Sequence, residues 1–478
     1  MRNMKRIVKA LSVAALACMS VFSAQGQQNL RTAYFLDGYT YNYKLNPAFA
    51  PERPFTAFPL LGNLGIGVES NLALSTFLYP TGNGNLTTFL SPTVPDAEFL
   101  KKLNNVNQLN FGINETIMAT GFRTGKAFHT IDIALKADAG ASLPKDLFAF
   151  VKTAGSTGAT SWDISRIGIR TNARMEVAYG YSRPIFEGLR VGARVKLLMG
   201  LVNANAIIDN MTLNMTGQEW SVKAHGKAEI AGPISFGTID GSNEIDFEDI
   251  KVPEDMEQIN EYLSSPSIGL AFDLGASYDF LDFFTASIAV QDLGFINWNN
   301  TTTAEMPGAE WKFNGFGAIS PDAEIGDQLS DMADDLLGML KMEMTGNAQK
   351  KSNALSATIH AAVEARMPFY ERLSFGILGT VRADGPCSWT EGRLIMSVAP
   401  VNILSAAASY AISDFGHSLG AVLNIHLPGF SLYAGIDSIL PIMNVTPQFI
   451  PIDALNTNLT MGLTFAFGKA QGRYRNNK

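Results

Sequence analysis

This sequence is short of charge. Asp, Glu, Lys and Arg supply 17% of its 478 residues, against ~25% in a typical soluble domain. It is also short of cysteine, with two. One of them, Cys18, lies in an N-terminal apolar run. Removal of that run leaves Cys387 alone, which excludes an internal disulfide and a cysteine metal cluster. The five histidines, His129, His225, His360, His417 and His426, stand singly, without a partner at metal-ligand spacing. There is no Gly-x-Ser-x-Gly elbow and no phosphate loop. Beyond the N-terminus no run approaches the ~18 apolar residues of a membrane helix. The net charge of −8 argues against a nucleic-acid partner. No cofactor, no metal and no enzymatic step are therefore expected.

What is present is alternation. The apolar share is 46% and there are 43 glycines, so charge is lost without a gain in apolar content. "NLTMGLTFAFGK" places Leu459, Met461, Leu463, Phe465 and Phe467 on one face, with Thr460, Gly462, Thr464 and Ala466 on the other. "RMEVAYGYS" and "LRVGARVKLLMG" repeat the pattern, setting Arg174, Glu176, Arg190, Arg194 and Lys196 opposite large apolar residues. "LSATIHAAVEAR" does so with His360, Glu364 and Arg366, and "TIDIALKAD" with Asp132, Lys136 and Asp138. Period two means strands with two unlike faces. These runs match the ~9–11 residues of a bilayer-spanning strand and exceed the ~5–6 of globular sheets. The expected fold is all-β: a transmembrane antiparallel β-barrel of about 14 strands, closed because hydrocarbon cannot satisfy open edges. The large face would meet lipid, and the small or charged face would line the lumen.

The N-terminus reads as a secretory signal. Arg2, Lys5, Arg6 and Lys9 precede "ALSVAALACMSVFSA", and Ala24-Gln25-Gly26 offers a cleavage site. Alternatives are an N-terminal anchor and lipid attachment at Cys18. Residues 1–26 are thus a signal peptide, 27–60 an N-terminal segment, 61–468 the barrel and 469–478 a basic tail. Tight connections are expected at Arg183–Gly188, Phe280–Phe283 and Met367–Arg372. Long ones are expected at Pro92–Asn107, Leu143–Trp162, Ala231–Pro266 and Phe316–Ser352. The long ones hold candidate helices in "PKDLFAFVK" and "DQLSDMADDLLGMLKM". Tyr179, Tyr181, Phe186, Trp298, Trp311, Phe369, Tyr370 and Trp389 are candidate interfacial aromatics.

"YTYNYKLNPAFAPERP" (Tyr39–Pro54) follows the mature N-terminus. Its Asn46, Pro47 and Ala48 resemble a motif of the long-chain fatty acid transporter (FadL-like) outer-membrane superfamily. "LGASYDFLDFFTASIAVQDLGFINW" (Leu274–Trp298) is similar to an element of an uncharacterised Bacteroidota barrel family, a domain of unknown function distantly akin to that group. The resemblance implies a fourteen-stranded barrel with its N-terminal segment folded inside as a plug-like hatch. It places the chain in the outer membrane of a Gram-negative bacterium.

Two functions are carried forward. The first is passive transport or binding of small, hydrophobic molecules without a covalent step. The lumen would be lined by Arg174, Glu176, Arg190, Arg194, Lys196, His360, Glu364 and Arg366. The hatch motif would be Asn46, Pro47 and Ala48. The partners would be the lipid bilayer and a small hydrophobic ligand. The second is a non-enzymatic structural or interaction barrel, such as an accessory of protein secretion or surface assembly, with protein partners on the long loops. A wide lumen favours the first, and a lumen filled by residues 28–60 and charged networks favours the second.

Overall fold

The computed structural model describes residues 29–59, 61–80, 86–153, 161–216, 219–239, 241–251, 262, 264–281, 283–306, 310–313, 342–427, 429–439 and 456–468. The expected signal region, the candidate helix at 327–342 except its last residue, and the expected basic tail lie outside them. "PKDLFAFVK" does form a helix, Lys145–Thr153.

Fourteen antiparallel strands close into a barrel. They are β1 (Phe55–Ala57 with Asn63–Ser70), β2 (Val106–Thr124), β3 (Ala127–Pro144), β4 (Ile167–Phe186) and β5 (Leu189–Thr216). Next come β6 (Glu219–Ala231 with Ser267–Phe280), β7 (Phe284–Glu305), β8 (Glu343–Ala354 with Ala357–Met367), β9 (Tyr370–Ala383) and β10 (Trp389–Val401). The last four are β11 (Leu404–Ser413), β12 (Gly416–Leu427), β13 (Phe430–Ile439) and β14 (Thr457–Ala466). Closure is made by β1, which pairs with β14 through Leu64↔Met461 and with β2 through Ile66↔Ile113. Ahead of Asn63, Phe55 already pairs with Ala466.

The two ends differ. Tight turns at Gly125 (φ 58°) and Gly188 (φ 84°) use a backbone region that glycine enters without a Cβ penalty. They share the turn end with the 402–403 connection. Longer excursions, 71–105 and 145–166 among them, leave the opposite, loop end. β5 runs 28 residues and β7 runs 22, against 10 for β11. A bilayer needs ~9–11, so β5–β8, which pair with one another up to Thr216 and Glu305, stand above the rest as a raised rim. β5 continues without a break through the polar stretch from Asn203. Above the membrane that stretch has no lipid to face. Phe150, Trp162, Ile208, Met211, Leu213 and Met306 pack inside the rim.

The barrel is apolar outside and polar inside. On β14 Leu459, Met461 and Phe465 are about two-fifths exposed, while Asn458, Thr460 and Thr464 are at most 1% exposed. Val177, Val195, Leu197, Ile288, Ile377 and Leu423 likewise face outward. In water such a surface would cost ~25 cal/mol per Å², so this wall belongs in a bilayer. A charge on it is penalised: Val195→Lys, near mid-height, should cost ~2–4 kcal/mol, read by chemical unfolding in liposomes. The naturally occurring neighbour Lys196 faces inward and is satisfied there.

Aromatics gather outside the turn end. Tyr179, Tyr181, Phe186, Phe369 and Tyr370 are exposed there, and His129 joins them through a 2.8 Å contact of its Nδ1 with the Tyr179 hydroxyl. Trp298 and Trp389 are not interfacial. Both are buried, Trp298 against Leu198 and Ile296 and Trp389 beneath the guanidinium of Arg31. The side chain of Trp311 lies outside the described set.

Candidate functional site: a plugged lumen

The lumen is occupied by the chain's own residues 29–54. Leu30, Tyr34, Phe35, Tyr41, Tyr43 and Phe49 are each at most 2% exposed, and they form one cluster with Phe55, Phe128 and Tyr433. Two short 3-10 turns, Arg31–Ala33 and Thr40–Lys44, fold this hatch. Its contacts with the wall are largely polar. The first turn leaves unpaired amides, as helix starts do. The amides of Arg31 and Thr32 each donate to a carboxylate oxygen of Asp437 at 2.7 Å.

Around that cap sits one ion cluster. Arg31 reaches Glu69 and Glu391 at 2.9 Å. Arg393 grips Glu391 with two hydrogen bonds of 2.9 Å and donates to Ser409 and to the carbonyl of Asp437. A second cluster lines β3–β7. Arg194 donates to Asp132 at 2.7 Å and to Asp273 at 2.9 Å. Lys196 bridges Asp273 and Asp292. Lys136 pairs with Glu176 at 3.1 Å, and Arg174 donates to Glu176 at 2.8 Å. The hatch joins this cluster through Lys44, which lies 3.6 Å from Asp132 and donates to Thr116 at 2.6 Å. Every one of these charges is buried and paired, the only state in which buried charge is tolerated.

A bulge supplies the remaining anchor. Asp292 is a non-glycine residue at φ 57°, where Gln291 and Asp292 together oppose a break in the β6 register. The extra residue turns two successive side chains inward. Gln291 donates to the carbonyls of Lys44 and Leu45 at 2.7 and 2.6 Å, and Asp292 enters the ion cluster.

The Asn-Pro-Ala motif lies against the wall on strands β5–β7. Asn46 is wholly buried. Its Oδ1 accepts from the amide of Ala48 at 2.9 Å, holding a turn, and its Nδ2 donates to the carbonyl of Ile288. The wall there is glycine. A Cβ on Gly192 would lie 2.0 Å from the carbonyl oxygen of Pro47, and one on Gly275 would lie 2.1 Å from Asn46 Oδ1. Only a side chain of no size lets the motif approach so closely.

The expected lumen residues separate into three groups. Arg174, Glu176, Arg194 and Lys196 meet in the second cluster. His360 and Glu364 are buried, with His360 Nδ1 3.0 Å from Thr380 Oγ1. Arg366 and Arg190 sit near the turn end, where Arg366 donates to Asp37 of the hatch at 2.9 Å and Arg190 is partly buried. Sequence reasoning passed over Arg31, Glu69, Glu391, Arg393 and Asp437. Their joining spans up to 406 positions; alternation along the strands could have pointed to the four wall residues, and no such signal marks Arg31. Cys387, in the connection from β9 to β10, is buried, and burial pushes its thiol up to about 12. A maleimide should therefore label the folded protein far more slowly than the unfolded chain.

No curated protein matches the chain. Solved structures it is similar to include the Pseudomonas putida toluene transporter TodX (7% identity, TM-score 0.38, covering 92% of this chain and 98% of that one). The Ralstonia pickettii toluene transporter TbuX is another (10%, 0.39, 93% and 97%). A Pseudomonas aeruginosa FadL homologue is a third (11%, 0.34, 93% and 100%). A family model matches residues 47–437, from the proline of the hatch motif to the aspartate that caps the hatch, and the chain belongs to that family, the family of unknown function DUF5723.

Proposed function

We propose that this protein is a non-enzymatic outer-membrane barrel that keeps its lumen closed with its own N-terminal segment and passes or binds small molecules when that segment shifts. The observation that carries the reading is the chemistry of the wall behind the hatch. Asn114, Thr116, Ser277, Ser287, Thr380 and Asn458 face inward and are buried. A permanent core would pack apolar side chains at such positions. A polar wall is ready to be hydrated when the hatch leaves, and water can replace each hydrogen bond it gives up. With cleavage near Gln27, the hatch is tied to the barrel at Pro54 alone. The family resemblance suggests an apolar solute, and the apolar outer surface gives such a solute access through the bilayer.

The second reading, a structural or interaction barrel, is favoured by the same occupied lumen, since both ion clusters bind hatch to wall. Solute entry decides between them. Proteoliposomes carrying the mature chain should swell slowly. Gly275→Leu, which puts carbon where Asn46 sits, should loosen the hatch and speed swelling severalfold. Equal, negligible swelling with both proteins folded would leave the scaffold reading.

A further inference from the structure

The hatch does not fill the lumen completely. In the loop-end half, beside Asn29, a cavity of about 40 Å³ open to water centres remains. By that measure one water needs ~10–15 Å³, so about three fit, roughly the bulk of a five-heavy-atom solute. Its lining includes Asn114, Lys136, Gln291, Asp292, Arg382 and Arg31.

Three features mark it as a site. Asn114 is 2% exposed, and its Oδ1 accepts no hydrogen bond from the described residues, while its Nδ2 donates to Asn29 at 3.2 Å. A buried acceptor without a donor is rare and costly. Next, the β7 bulge at a left-handed Asp292 delivers both Gln291 and Asp292 to this space, the kind of local strain that collects at functional positions. Finally, the charges facing the cavity are of both signs: the cations of Arg31, Lys136 and Arg382, and the carboxylate of Asp292. Their other partners, Glu69, Glu391, Glu176, Asp138 and Asp384, stand behind them in the wall. The rings of Trp389 and His360 also line it.

We infer that this cavity receives the head of a small zwitterionic solute of the amino-acid type. Its carboxylate would face the arginines, and its ammonium would donate to Asn114 Oδ1 and Asp292. A hydrocarbon there would desolvate four charged groups and return no hydrogen bond. The inference rests on the gated-lumen reading and puts a zwitterionic solute in place of the apolar one that the family resemblance suggests.

The test is equilibrium binding of glycine to the full mature chain folded in detergent, beside Asn114→Leu and Asn114→Ala. The native protein should bind glycine, toluene should not compete, and each variant should lose roughly tenfold in affinity, the worth of one hydrogen bond. Heat-modifiable migration on gels reports folding, and the alanine variant serves if the leucine one does not fold. No glycine binding by the folded native protein, unchanged binding by either folded variant, or displacement by toluene would overturn the assignment. The gated-lumen reading fails separately: a bilayer that stays silent after hatch removal contradicts it even where the closed protein binds glycine.

Discussion

Deleting residues 29–54 should turn a closed barrel into a conducting one, raising single-channel conductance by roughly an order of magnitude or more while the barrel still assembles. The wall's strand-to-strand hydrogen bonds draw on the hatch at one point, the Pro54 carbonyl that accepts from the Phe467 amide at 2.8 Å, so closure survives its loss. Asp132, Glu391 and Asp437 lose cationic or amide partners from the hatch, but water enters with the deletion and solvates them. The apolar surface released is mainly Phe55, Phe128, Leu378, Ile395 and Tyr433, at ~1.5–3 kcal/mol each if fully exposed. Stability should therefore fall measurably without abolishing folding. Conductance in planar bilayers and heat-modifiable gel migration check the two halves. A deletion variant that folds and inserts yet stays silent would mean the ion network alone closes the lumen.

Asp437→Ala should be the most damaging single change. Asp437 is fully buried, accepts both leading amides of the hatch and lies 3.8 Å from the guanidinium of Arg393. Alanine leaves two amides without acceptors and cationic groups short of an anion in a dry site. Breaking a buried charge pair from one side costs ~3–5 kcal/mol. The loss divides between unfolding and hatch release. Denaturant midpoints should drop, and bilayer recordings should show brief openings absent from the native protein. Asp437→Asn keeps one acceptor oxygen and should lose less on both counts. Equal behaviour of Asp437→Ala and the native protein would show that the cap does not hold the hatch.

Much of the wall was legible because a bilayer imposes one rule on every strand. The alternation in Leu459–Phe467 and Arg174–Ser182 needs no tertiary knowledge, since lipid is the partner of each outward residue. The orientation of Arg174, Glu176, Arg194 and Lys196 followed from the same period. What period two cannot show is a change of period. The bulge at Gln291–Asp292 turns two neighbours to one side, and β1 is interrupted between Ala57 and Asn63, so each breaks the count. Trp298 and Trp389 look like interfacial aromatics by type, but Trp298 is covered by Leu198 of β5 as well as by Ile296 of its own strand, and Trp389 by Arg31 of the hatch. The hatch itself was visible only as the Asn-Pro-Ala resemblance. Its seat is written in Gly192 and Gly275, and a glycine in a strand does not announce what approaches it.

The account's central claim is that the N-terminal segment sits inside the barrel and closes it. Thr32 Oγ1 lies 2.8 Å from Ser409 Oγ on the inner wall. The direct measurement is disulfide formation in T32C/S409C on a C387S background, with conductance recorded before and after reduction. The account predicts a 32–409 cross-link in the folded, inserted protein, silence while it is oxidised and openings on reduction. Free alkylation of both thiols from water in the folded barrel, with no cross-link, would contradict it.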